Sequence, residues 1–95
     1  MAQIHDNTPK YKLKLFIAGN EPNSIQAINN INDILDSRIK DRYKLEIIDI
    51  LNDFQSAIDH GVLVTPMLII IEPLPETTIV GTLSNAEKVK AALRL

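Results

Sequence analysis

Few side chains in this sequence are equipped for covalent or acid–base chemistry, and their spacing limits what they can do. There is no cysteine, which excludes thiolate nucleophiles, redox pairs and mixed nitrogen–sulfur metal sites. The histidines are His5 and His60. His60 follows Asp59, a pairing in which a carboxylate can hold an imidazole as a general base. It stands, however, at the end of an apolar-periodic segment, where histidine commonly bonds the last carbonyls of a helix, and no third convergent group accompanies it. Ser24 and Ser84 read as helix caps, since neither has an activating base within its segment. Residues 18–24 could offer amides to an anion at a helix start. They lack the lysine and glycines of a phosphate loop, and their Gly, Asn and Pro content describes a turn. Arg38, Lys40, Arg42 and Lys44 form a basic cluster interrupted by Asp41 and Glu46, which reads as a solvated connector or as one half of an electrostatic protein contact. No catalytic residue, cofactor or metal is expected.

The elements that must carry these residues follow from periodicity. Residues 12–24 run from an apolar strand into a Gly/Asn/Pro turn that launches a helix. Tyr11, Leu13, Leu15 and Ile17 alternate with Lys12 and Lys14, the period of a strand. Gly19 and Pro22 end it, and Asn23 or Ser24 can cap the helix that follows. Ile28, Ile31 and Leu35, widened by Ala27 and Ile34, give that helix one apolar stripe, with Asn29, Asn30, Asn32 and Asp33 facing water. Residues 37–42 are a polar link to a second strand over 43–50. Leu51, Phe54 and Ile58 then recur at helical spacing, with Gly61 at the C′ position of a short helix. A third strand begins near Pro66, which cannot donate to a ladder. Residues 72–76 make a stiff turn into an edge strand over 77–80, forming a hairpin with the strand before it. Ser84 and Glu87 form a capping box, and Ala86, Val89 and Leu93 give the last helix its buried face. The order βαβαββα predicts an α/β, thioredoxin-like fold with a mixed four-stranded central sheet. Strand, turn and helix is the layout on which such folds carry a C-x-x-C pair; here the scaffold lacks the thiols. Such folds also place a cis proline before the third strand, which makes Pro66, after Thr65, the candidate cis-proline.

Length and charge narrow the function classes. Ninety-five residues at 45% hydrophobic content make one domain over residues 10–95, after a short flexible leader over 1–9. A net charge of −2 and pI near 5.6 give no footprint for nucleic acid. The longest apolar run, residues 68–71, is far below the roughly 20 residues that cross a bilayer, and the N-terminus has no signal-peptide pattern. The expectation is a cytoplasmic protein that binds neither membrane nor nucleic acid.

A resemblance sharpens this. Tyr11, residues 13–20, Pro22-Asn23-Ser24, Thr65-Pro66, Ile79-Val80-Gly81, Leu83-Ser84-Asn85 and Glu87-Lys88-Val89 together resemble the KaiB family over residues 10 to 95. The resemblance implies a non-enzymatic circadian-clock or signalling component that binds a hexameric KaiC-like ATPase, competes there with a sensor kinase's KaiB-like domain, and helps sequester a KaiA-like protein. It also implies fold switching between a thioredoxin-like monomer and a ground state, usually a tetramer, in which the C-terminal half refolds to give βαββααβ. Two packings a few kcal/mol apart are needed for such a switch. The sequence departs from the family pattern at Gln26, at Thr77 and Thr78 in place of an arginine pair, at Leu74 inside a proline triplet, and at Thr82, where aspartate usually follows Gly81. On this reading Pro66, Pro73, Pro75, Gly81 and Thr82 form the fold-switch region. Thr77 to Val80 suits a strand and the segment after Ser84 suits a helix, so local preference favours the thioredoxin-like state. Lys12, Lys14, Asn20, Glu21 and Asn23, with an open sheet edge, are the expected partner-binding surface. Two further readings are a divergent member serving stress response or another signalling pathway without clock function, and a homo-oligomer, dimer or tetramer, built on the apolar strands. A cysteine-free transferase on the same scaffold finds no nucleophile or titratable cluster to support it.

Overall fold

A computed structural model describes residues 9–95; His5 and residues 1–8 of the expected leader lie outside the described residues. The elements are β1 (Tyr11–Ile17), α1 (Pro22–Arg38), β2 (Tyr43–Asp49), α2 (Phe54–Asp59), β3 (Met67–Glu72), β4 (Thr77–Val80) and α3 (Ala86–Ala92). The sheet order is β2-β1-β3-β4. β1 runs parallel to β2, from Tyr11 opposite Tyr43 to Ile17 opposite Asp49, and antiparallel to β3, which forms a hairpin with β4. This is the thioredoxin-like arrangement, with α3 formed after Gly81 and not an extended segment.

Register assigns the faces, because side chains alternate across each strand. One face presents Leu13, Leu15 and Ile17 of β1 with Leu68 and Ile70 of β3 to Ala27, Ile31, Ile34 and Leu35 of α1 and to Val89 and Leu93 at α3; these form the larger core. Each fully buried aliphatic there contributes about 1.5–3 kcal/mol. The other face carries Lys12, Lys14 and Phe16 beside Lys44, Glu46 and Ile48 on β2 and Met67, Ile69 and Ile71 on β3. Its core is small, built on Phe16, Ile48, Met67 and Ile69, and its helix is the six residues of α2. Two helices cover one face and one short helix covers part of the other.

The structure corrects several local expectations. α1 begins earlier than Asn23 or Ser24 allows. Pro22 occupies its first turn, Glu21 is the N-cap with no side-chain cap bond, and the proline φ substitutes for capping. Ser24 therefore points inward, is fully buried, and accepts a hydrogen bond from the Ala18 amide at 3.2 Å. Residues 37–42 are not a wholly polar link: Ile39 is buried, and its amide donates to the Leu35 carbonyl at 2.8 Å to close α1. Asn30 does not simply face water but donates from Nδ2 to the Thr82 carbonyl at 2.9 Å. The capping box at Ser84 is absent. Asn85 caps α3 by accepting from the Lys88 amide at 3.1 Å, while the Thr82 hydroxyl donates to Ser84 Oγ at 3.1 Å. An Asx cap one residue later satisfies the same helix amides.

Candidate functional site

The turns after β1 and β2 meet at the C-terminal ends of these parallel strands, and Asp49 joins them. Its Oδ1 accepts from the Gly19 amide and from the Leu51 amide, each at 3.0 Å. Gly19 has φ +53°, and a Cβ there would lie 3.0 Å from Leu51 Cδ1; glycine lets the two turns pack closely. The Asp49 carbonyl accepts from the Asn52 and Asp53 amides, and the Asp53 side chain then caps α2 by accepting from the Ser56 amide at 3.0 Å. Gly61, at φ +67°, ends that helix, and the Val62 amide donates to the Ala57 carbonyl.

The side chains this frame presents are apolar and uncovered. Within α2 only Ala57 is buried. Leu51 is 71% exposed, Phe54 67%, Ile58 56%, Leu63 91% and Val64 49%. Phe54, Leu63 and Val64 of this set line an open groove of about 230 Å³ together with Ile50, Val62 and Thr65. Of the residues expected at helical spacing, Phe54 and Ile58 lie on α2 and are exposed, whereas Leu51 lies in the turn before it. A contiguous apolar patch of this kind marks an interaction surface.

The residues expected to bind a partner are only partly gathered here. Asn20 is exposed on the β1–α1 turn, Glu21 is half-buried as the α1 N-cap, and Asn23 is exposed within α1 and not in the turn. Lys12 and Lys14 lie on the α2 side of the sheet, but neither stands fully exposed. Lys12 Nζ is 3.6 Å from Glu72, and Lys14 Nζ is 4.0 Å from Glu46 and 3.2 Å from His60 Nε2. The His60 Nδ1 atom lies 2.8 Å from the Ser56 carbonyl. That contact requires a proton on Nδ1, leaving Nε2 to accept from the lysine ammonium. The ring also sits 5.3 Å from the Phe16 ring, so both nitrogens and one face are engaged. Among the described residues no group of three His, Asp or Glu side chains could hold a metal ion.

The proposed switch residues lie elsewhere. The Thr65–Pro66, Glu72–Pro73 and Leu74–Pro75 peptide bonds are cis. Pro66 is buried, and its carbonyl accepts from the Gly81 amide at 2.9 Å. Gly81 has φ +109°, and an open hollow of about 310 Å³ between β4 and α3 is lined by Gly81, Thr82, Ser84 and Lys88. At the opposite end of the sheet the Tyr43 hydroxyl donates to Asp36 Oδ1 at 2.7 Å. That bond, with desolvation and the nearby Asp36 and Asp41 charges, raises the phenol above its ordinary value of 10.0. The sequence reading named Leu51, Phe54 and Ile58 only as a helical repeat and assigned neither them nor Leu63 and Val64 to an exposed surface. The available signal was the brevity of residues 53–61 and the consecutive Leu63-Val64, which a strand cannot turn to one face.

Comparison with known proteins places this geometry. The KaiB domain model matches residues 14–95. Curated relatives described as circadian clock oscillator protein KaiB are 45% identical over 85 residues in Thermostichus vulcanus, covering 90% of this chain and 79% of the relative. In a Prochlorococcus marinus strain the figure is 46% over the same shares. Among solved structures, the N-terminal domain of Synechococcus elongatus SasA superposes with a TM-score of 0.74 at 19% identity, covering 97% of this chain and 87% of that one. Mitochondrial thioredoxin 3 of Saccharomyces cerevisiae gives 0.73 at 10% identity, covering 93% and 80%. At those identities the structural matches establish the fold alone.

Proposed function

The chain belongs to the KaiB family, and we propose that it is a non-enzymatic clock or signalling regulator that acts by binding a KaiC-like ATPase through the surface around α2. The single observation that carries this reading is the apolar face of Leu51, Phe54, Ile58, Leu63 and Val64, exposed beside a rigid pair of turns. A monomeric chain of this size gains nothing in stability from leaving those side chains in water. The bare edge of β2 supplies a second contact, on which a KaiA-like protein or a sensor kinase can add a strand. Asn20 and Glu21 rim the first surface, and Lys12 and Lys14 stand on the sheet face behind it. We place the fold switch at Pro66, Pro73, Pro75, Gly81 and Thr82, where Gly81 to Ser84 is tied to the rest of the fold by the buried Leu83 and by hydrogen bonds from Gly81 to Pro66 and from Asn30 to Thr82.

The test is co-sedimentation of the purified chain with a KaiC-like ATPase in ADP- and ATP-bound states, beside a solution-mass measurement of the chain alone. Binding in at least one nucleotide state, reduced by Leu51→Ser, is the expected result. Failure in every state overturns the ATPase reading, and a stable homo-oligomer that buries Leu51 and Phe54 overturns the surface.

A further inference from the structure

The apolar groove beside α2 has an electrostatic setting that specifies its occupant. From Leu45 to Glu87 the sequence contains no lysine or arginine, while Glu46, Asp49, Asp53, Asp59, Glu72, Glu76 and Glu87 are all acidic. Two of these carboxylates bracket α2, the helix that supplies Phe54 to the groove: Asp53 is its N-cap and directly precedes Phe54, and Asp59 is its last residue. Both are exposed and make only local bonds, Asp53 to the Ser56 amide and Asp59 Oδ1 from Gln55 Nε2 at 2.8 Å. The nearest cation on the neighbouring sheet face, Lys14, is engaged by His60 and Glu46. The groove thus presents bulky apolar side chains beside a short helix that carries an exposed carboxylate at each end.

We infer that this groove takes a cationic amphipathic segment of a protein partner, with one bulky apolar side chain seated among Ile50, Phe54, Val62 and Leu63 and lysine or arginine side chains meeting Asp53 and Asp59. Charge decides against a second copy of this chain, since a two-fold contact through the same patch brings the Asp53 and Asp59 carboxylates of one copy toward those of the other with no cation between them. The area agrees with a segment. The exposed parts of five such side chains amount to roughly 600–700 Å², below the ~800 Å² per partner of a standard protein interface. Docking of an apolar helix face into a groove with anchors at i, i+3 and i+4 is a familiar mode of peptide recognition. The inference rests on the protein-binding reading but not on the identity of the ATPase.

Two synthetic helical peptides of about 15 residues test it, with the same Leu/Phe face and a polar face of either Lys or Glu. Each is titrated into the ¹⁵N-labelled chain and followed by amide NMR. The Lys peptide is expected to shift residues 51–65 selectively, with affinity falling at least about tenfold between 0.05 and 0.5 M salt. The double variant Asp53→Asn/Asp59→Asn is expected to weaken it about fivefold or more. Leu63→Ser and Phe54→Ser should each weaken it further, with the NMR spectrum itself reporting that the fold is kept. Equal binding of the Lys and Glu peptides overturns the inference, as do shifts centred on β2, or no shifts. Concentration-dependent shifts of residues 51–65 without peptide, with a dimer in sedimentation, also overturn it by assigning the face to a second copy. ATPase binding with no effect of Asp53→Asn/Asp59→Asn sinks this inference and leaves the ATPase reading standing; selective Lys-peptide binding with no ATPase binding does the reverse.

Discussion

Replacing Asp49 by alanine removes the one side chain that bonds both turns of the proposed surface. Two hydrogen bonds to a carboxylate are lost, each 3.0 Å long, from the part-buried Gly19 amide and the exposed Leu51 amide. A bond to a charged acceptor contributes about 1.5–3 kcal/mol when its donor is otherwise left unsatisfied. The Leu51 amide can turn to water, so its share falls to about 0.5–1 kcal/mol. Asp49→Ala should therefore cost about 2–4 kcal/mol, or a drop in Tm of roughly 8–32 °C for a domain of this size. Asp49→Asn keeps an Oδ1 acceptor at the same place and should recover more than half of the loss. Urea unfolding followed by circular dichroism measures both, and amide hydrogen exchange at Gly19 and Leu51 should quicken in the alanine variant only. The reasoning fails if asparagine is as damaging as alanine, because the negative charge and not the bridging geometry would then matter. It fails equally if alanine costs under about 0.5 kcal/mol. With the bridge gone, Leu51 and Phe54 are no longer held relative to Asn20 and Glu21, so partner affinity should drop more than stability alone explains.

Ser24→Ala leaves the Ala18 amide without its acceptor in the interior, at a cost of about 1–3 kcal/mol in urea unfolding. Leu63→Ser, at a side chain 91% exposed, should change unfolding stability by no more than about 0.5 kcal/mol while weakening partner binding. Asn30→Ala removes the bond to the Thr82 carbonyl; hydrogen exchange at residues 81–84 should quicken, with a loss of about 1 kcal/mol or less. The Tyr43 phenol is raised, so the native state holds its proton more tightly than the unfolded state. Its contribution to stability is complete below the ordinary phenol value of 10.0 and is lost as pH rises through and above it. Phenolate absorbance in a Tyr11→Phe background should show that midpoint falling in Asp36→Asn.

The strands and helices were legible in the sequence because β1 alternates with period two and α1 repeats its apolar residues at i, i+3 and i+7, signals that tertiary context rarely overrides. Helix ends were less legible. Ser24 and Ser84 have the right chemistry for caps, but a serine hydroxyl serves equally well as a buried acceptor or a loop partner, and Pro22 and Asn85 compete for the same roles. The lysines at positions 12 and 14 were correctly placed opposite the apolar face of β1. Their pairing with Glu72, Glu46 and His60 depends on strand register and on where α2 ends, which no local pattern encodes.

The direction of the α2 stripe was the least legible feature, and its cause is arithmetical. A helix carrying Phe54 and Ile58 can bury that stripe only if it is long enough to lie along the sheet. Six residues rise about 9 Å, less than half the length of a seven-residue strand, so α2 anchors through Ala57 and lets the loop after Gly61 reach β3 directly. The same shortness leaves the sheet's second face under-covered while the first is sealed by α1 and α3. Leu51, Phe54, Ile58, Leu63 and Val64 stay in water around this short helix, whose ends carry Asp53 and Asp59. The physical use of such an arrangement is to be covered by something else, and the sign of those carboxylates states the charge that partner must bring.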